Sequence, residues 1–208
     1  MWPLKYLVTG TGRCGTKFLS CLLTGVGIGC GHETIFNTWG CGYAERFAEK
    51  HPELVADSSW LAAACIQRGI LEGTQIIHLV RHPRRVINSL LRTQFWTNDG
   101  VAGWRLAARN MLPTLDDWPE LVDKSAHFYV EFNNFIEGHA DYFHRIEDDP
   151  RLLLDAMGVT YDASTLFSDS RANAYEGERR DDVALADIAQ PLRDQVAEKL
   201  ASYRYEEW

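Results

Sequence analysis

The sequence has no excess of basic charge, no C-x-x-C pair, no zinc-ligand spacing and no unbroken apolar run of membrane-spanning length. Each absence removes a class of function. A transmembrane helix needs about 18 or more consecutive apolar residues, so no membrane span is expected. A general nucleic-acid binder carries net positive charge, whereas this chain stands at −8, so nucleic acid is not an expected partner. The five cysteines (Cys14, Cys21, Cys30, Cys41 and Cys65) are odd in number and form no metal-binding motif. Reduced thiols, a reducing compartment and no metal site are the expectation. Met1-Trp2-Pro3-Leu4-Lys5 leads almost directly into a strand-like segment and lacks a signal-peptide layout, which predicts a cytoplasmic location. Repeats, low-complexity tracts and linkers are also missing, so one domain over 1–208 is expected. A chain of this length buries roughly 70% of its unfolded surface and needs no disulfide staple.

What is present is ordinary in bulk, with 46% hydrophobic and 24% charged residues, and slightly rich in aromatics, with seven Trp. Tyr6–Thr9 reads as a short buried strand and Gln75–Val80 as the clearest later one. Ile28–Gly31 and Leu54–Asp57 are weaker candidates. Phe18, Leu19, Leu22, Leu23 and Val26 recur at helical spacing and predict a helix over 16–24. Further helices are predicted around Trp60–Arg68, from Pro83 onward, over 120–137, near 150–157 and from Pro191. A strand is predicted near Tyr142–Ile146. Strands alternating with helices predict a mostly parallel sheet covered on both faces. Ligands of such sheets sit beyond the carboxyl ends of the strands.

Two segments fall at those ends. The first is Thr9-Gly10-Thr11-Gly12-Arg13-Cys14-Gly15-Thr16-Lys17, a glycine-rich turn between strand and helix, where backbone N–H groups form an anion site. A Walker A loop would place Lys at 16 and Ser or Thr at 17. The order here is reversed, and one residue turns a helical side chain by about 100°, which disfavours a nucleotide kinase. Gly10-x-Gly12-x-x-Gly15 also fits a dinucleotide fingerprint, with Glu33 near the ribose-binding position. That reading leaves Arg13 and Thr16 without a role, gives the second strand an unusual Gly27-Ile28-Gly29-Cys30-Gly31 sequence, and finds no Tyr-x-x-x-Lys pair. The loop alone leaves both readings open.

The run Gly12-Arg13-Cys14-Gly15-Thr16 also resembles the 5′-phosphosulfate loop of sulfotransferases that use 3′-phosphoadenosine-5′-phosphosulfate (PAPS). The second segment, Ile76 to Ser89, resembles the 3′-phosphate motif of the same family. There a strand ends in Arg, Pro follows two residues later, and Ser lies eight after the Arg; Arg81, Pro83 and Ser89 match. Arg offers a planar fork of donors to phosphate, and Pro83 starts the helix that carries Ser89. The resemblance is to bacterial and glycan-type members. It implies a P-loop NTPase-like three-layer α/β domain, a mostly parallel central sheet flanked by helices, and sulfuryl transfer from PAPS to a hydroxyl or amine, giving PAP. The acceptor would be a small molecule, glycan, lipid or peptide.

By that resemblance Gly12, Arg13, Cys14, Gly15, Thr16, Lys17, Arg81 and Ser89 hold the donor. Arg13 meets the bridging oxygen, and Cys14 replaces the commoner Ser. Glu33 is the expected base, ionised at rest, and His32 orients it. Adjacent residues of an extended segment face opposite ways, so only one of the two is expected to face the loop. Asp57 and Ser58 are weaker candidates for acceptor contact. Trp39, Trp60, Trp96 and Trp104 are candidates for an acceptor cleft, with core packing the commoner role of Trp. Arg145-Ile146-Glu147-Asp148 looks like a strand-end Arg-x-Glu-Asp of bacterial members, and Asn173, Arg179 or Arg180 could meet the adenosine phosphate. An NAD(P)-binding oxidoreductase and a non-catalytic nucleotide-binding module stay open as alternatives.

Overall fold

The structure, a computed structural model, describes residues 4–162, 166 and 182–208. Five strands form one sheet: β1 (Tyr6–Thr9), β2 (Cys30–His32), β3 (Ala56–Ser58), β4 (Gln75–Val80) and β5 (Tyr142–Arg145). Their spatial order is β2-β3-β1-β4-β5, and every pairing is parallel. The helices are α1 (Thr16–Gly25), α2 (Cys41–Lys50), α3 (Ala63–Gln67), α4 (Pro83–Arg92), α5 (Ala102–Met111), α6 (Leu121–Glu137), α7 (Pro150–Ala156) and α8 (Leu192–Ser202). Among the described residues no helix is long and apolar enough to cross a membrane.

Strand alternation builds a three-layer α/β arrangement. Tyr6, Val8, Ile77 and Leu79 point to one face, where Leu19, Leu22 and Leu23 of α1 and Leu153 and Leu154 of α7 cover them. Leu7, Ile76 and Val80 point to the other, against α4, α6 and α8. The helix after β1 therefore leaves on one face and the helix after β4 on the other. That opens a crevice at the carboxyl ends of two neighbouring strands, where α/β sheets place their ligands.

The two weaker strands begin two residues and end one residue beyond their expected positions. Leu54 and Val55 lead into β3 rather than forming it, and Val55 is 39% exposed. The paired register runs from Cys30 opposite Ala56 to His32 opposite Ser58, which brings the end of β2 level with the end of β1. Glycine is required in β2 by close approach: a Cβ on Gly31 would lie 2.4 Å from Asp57 Oδ1. The segment from Trp60 opens as a 3-10 turn, Trp60–Ala62, before α3. Helices α2 and α5 were not expected.

One expectation is overturned. Cys41 and Cys65 form a disulfide, with Cα atoms 5.4 Å apart, so the five thiols are not all reduced. Sequence spacing could not show it, because the pairing depends on where the fold brings α2 and α3 together. The bond closes a loop of sequence separation 24. Chain entropy then makes it worth about 3.5 kcal/mol. Cys41→Ser should lower the thermal midpoint by roughly 7–14 °C, and reductant should shift wild type to meet it. Identical midpoints for wild type with and without reductant would refute the bond's contribution.

Candidate functional site

The loop after β1 is shaped by two left-handed residues. Arg13 has φ 76° and Gly15 φ 110°. Gly15 must be glycine, since a Cβ there would also press to 2.9 Å of Ile146 Cγ1. It caps α1 without a side-chain hydrogen bond, and no acidic residue lies in the first turn. The N–H groups of that turn are thus open to an anion. Cys14 is used differently: its N–H donates to Thr11 O at 3.1 Å. Its thiol is buried beneath the loop, and burial pushes it up to about 12, which keeps it protonated.

The second motif comes back to the first. Arg13 Nε donates to Ser89 Oγ at 2.9 Å, across 76 residues of sequence. Arg81, at the end of β4, donates from its guanidinium to the Arg13 carbonyl at 3.2 Å. Tyr129 of α6 fixes the Arg81 backbone by donating its hydroxyl to the carbonyl at 2.9 Å. His82 caps α4 by accepting from the Arg84 N–H, and Pro83 supplies the first residue of that helix.

A cavity of about 380 Å³ collects these groups. Its wall includes Gly12, Arg13, Gly15, Thr16, Lys17, His32, Glu33, Arg81 and Ser89, so of the two motifs and the base pair only Cys14 is absent from it. Its remaining wall is Trp60, Arg92, Thr93, Phe95, Val101 and Trp104. Four cationic side chains thus face one carboxylate in a chain of net charge −8.

His32 and Glu33 both line this cavity, contrary to the alternation expected of them. The reason is local: Glu33 has φ 53°, so β2 ends at His32 and the next side chain is turned back to the same side. His32 Nε2 lies 3.3 Å from Thr16 Oγ1. Burial, with Lys17 and Arg13 nearby, lowers its pKa and leaves it neutral near pH 7, able to orient the Thr16 hydroxyl. The Glu33 carboxyl is pushed up to about 7 by burial and the negative Asp57, against the Trp104 and Trp60 indoles and Arg13. It is therefore half-protonated near neutrality, not fully ionised at rest.

Asp57 and Ser58 do not reach the cavity. Both are fully buried. Asp57 instead accepts from the N–H groups of Thr34, Ile35 and Phe36 at 3.2, 3.2 and 2.9 Å, which shapes the loop after Glu33. Arg145 holds Asp148 with its Nε at 2.9 and 3.0 Å and the Arg204 carbonyl at 2.8 Å, while Tyr205 donates to Glu147 at 2.7 Å. That motif ties the C-terminal segment to β5. Trp39 is 68% exposed, and Trp96 donates to Ser125 at 2.8 Å away from the cavity. Asn173, Arg179 and Arg180 lie outside the described residues. Arg92 belongs to the basic cluster that the sequence crowds between 81 and 92 but had no role of its own there, and sequence reasoning missed Thr93, Phe95 and Val101. The i, i+3 spacing of Ser89 and Arg92 on one helix was the available signal for Arg92.

The fold and this cavity define a three-layer α/β protein with a cationic pocket at the strand ends. The sequence matches no protein-family model and no curated protein.

Proposed function

We propose that this protein transfers a sulfuryl group from PAPS to a hydroxyl or amine, releasing PAP. The observation that carries the reading is the Arg13–Ser89 contact at 2.9 Å, which joins two anion-binding motifs in one cavity. The cations Arg13, Lys17 and Arg81 on its wall suit a donor with several anionic groups. In this reading Arg81 and Ser89 hold the 3′-phosphate, and the first turn of α1 holds the phosphosulfate. Glu33 takes the acceptor proton as the acceptor's oxygen or nitrogen bonds to sulfur. The bond from sulfur to the bridging oxygen breaks, and Arg13 meets the charge that develops there. His32 keeps Thr16 in place.

A ligand panel tests it. PAP should raise the thermal midpoint by roughly 5–10 °C at 100-fold over its Kd, which corresponds to about 2.7 kcal/mol. NAD(P) and Mg-ATP should do far less. A shift with NAD(P) and none with PAP would replace this reading with the dinucleotide one.

The proposed 3′-phosphate site has its own test. Arg81→Ala should weaken PAP at least about tenfold, the loss of a charge-assisted hydrogen bond. Ser89→Ala should act in the same direction. Adenosine 5′-phosphosulfate, which lacks that phosphate, should bind variant and wild type alike. Equal weakening of both ligands would show that Arg81 acts by propping the Arg13 loop instead.

A cytoplasmic location stays part of the proposal, and Cys41–Cys65 offers its check. Thiol trapping in intact cells should find the pair partly free there, whereas a fully oxidised pair points to an oxidising compartment.

A further inference from the structure

Arg92 is the cation of the cavity that the donor does not need. It sits in the last turn of α4, three residues after Ser89 and on the same helical face. That places it about 4.5 Å farther along the axis, away from Arg81. Among the described residues its buried Nε has no hydrogen-bond partner and no carboxylate pairs with its guanidinium. A basic residue at a helix C-terminus is favoured by the helix dipole, which accounts for the sign of the charge. It does not account for a guanidinium that lines a cavity with no carboxylate partner among the described residues.

The surroundings indicate which ligand. Thr93 spends its hydroxyl on the Ser89 carbonyl at 2.8 Å, leaving Arg92 as the polar donor of this wall. Beside it stand Phe95, Trp60, Trp104 and Val101, with Glu33 on the same cavity. Trp60 and Phe95 meet edge to face at 6.2 Å, and Trp60 is held from behind by Phe128. The wall thus offers a carboxylate, a rigid aromatic surface and, beyond Ser89, an unpaired guanidinium.

We propose that the acceptor carries its own anionic group, which Arg92 binds while its ring lies on Trp60, Phe95 and Trp104 and its hydroxyl or amine faces Glu33. This rests on the sulfuryl-transfer reading and narrows the acceptor to ring compounds bearing a carboxylate or similar anion.

The test uses PAP-saturated protein and matched probe pairs: 4-hydroxyphenylacetate with its amide, and glucuronate with glucuronamide. Binding is measured by calorimetry. At least one acid should bind wild type about tenfold or more tighter than its amide. R92Q should abolish that preference with PAP affinity unchanged, and R92K, which keeps the charge, should retain part of it. The wild-type ratio needs no variant, so an R92Q protein that fails to fold does not remove the test. If no acid is preferred by wild type, or if R92Q keeps the preference, the inference is wrong. Weakening of PAP by R92Q as large as that of the acids would make Arg92 a donor ligand and also overturn it. PAP failing to bind wild type would instead bring down the donor reading itself.

Discussion

Glu33→Gln is expected to lower kcat by about 10²–10⁴ and to leave PAP affinity nearly intact. Glutamine keeps the size and polarity of the side chain and removes the proton acceptor. The structure sharpens this expectation with a pH profile. Burial raises the Glu33 carboxyl to about 7, so its base form grows as pH rises through that value. Wild-type kcat/KM should climb about tenfold per pH unit below that pKa and level off above it, and the climb should vanish in Glu33→Gln. His32→Asn should cost less, because His32 acts on Thr16 at 3.3 Å and is already neutral near pH 7. The measurement is turnover with a verified acceptor across pH, beside PAP affinity for both variants. Near-normal turnover in Glu33→Gln with collapse in His32→Asn would reverse the two roles. Loss of PAP binding in Glu33→Gln would make Glu33 a donor contact or a structural residue.

Arg13→Gly should separate function from folding. Arg13 holds φ 76°, a left-handed conformation that costs a non-glycine residue of order 1–3 kcal/mol. Glycine relieves that strain and gives back about 0.5–1 kcal/mol in chain entropy. The variant should therefore fold as well as wild type, while kcat falls by about 10²–10³ with loss of the guanidinium aimed at developing charge. Arg13→Lys keeps the charge but not the planar fork and should fall between. Full activity in Arg13→Gly would remove Arg13 from the chemistry. A lowered midpoint would show that the Ser89 contact is chiefly structural. Glu33 shares the left-handed backbone with φ 53°. Strain at both positions of the proposed chemistry fits the tendency of functional sites to store it.

Much of the fold was legible because each long element carries its own local signal. Gln75–Val80 packs four branched apolar residues around His78, Pro83 marks the start of α4, and the leucines of α1 repeat at helical spacing, so these elements stand where they were expected. β2 and β3 were begun two residues early and ended one residue early because three-residue strands carry no period of their own; only pairing, β3 with β1 and β2 with β3, sets their limits. Helix α2 was missed because its polar face dominates and only Cys41, Ala44 and Ala48 are buried.

The sequence alone determined the order of alternating strands and helices, the glycine loop with Arg13, and the strand-end Arg81 followed by Pro83 and Ser89. These are local patterns, and local chain chemistry is enough to write them. Tertiary structure alone decided what they do together. Parallel pairing brought β2 level with β1, a left-handed Glu33 turned its own side chain and His32 to one side, and burial moved the Glu33 carboxyl toward neutrality. The same packing joined Cys41 to Cys65 and set Arg92 unpaired beside Trp60 and Phe95. Burial and through-space charge depend on residues far apart in the chain, and no local pattern records them.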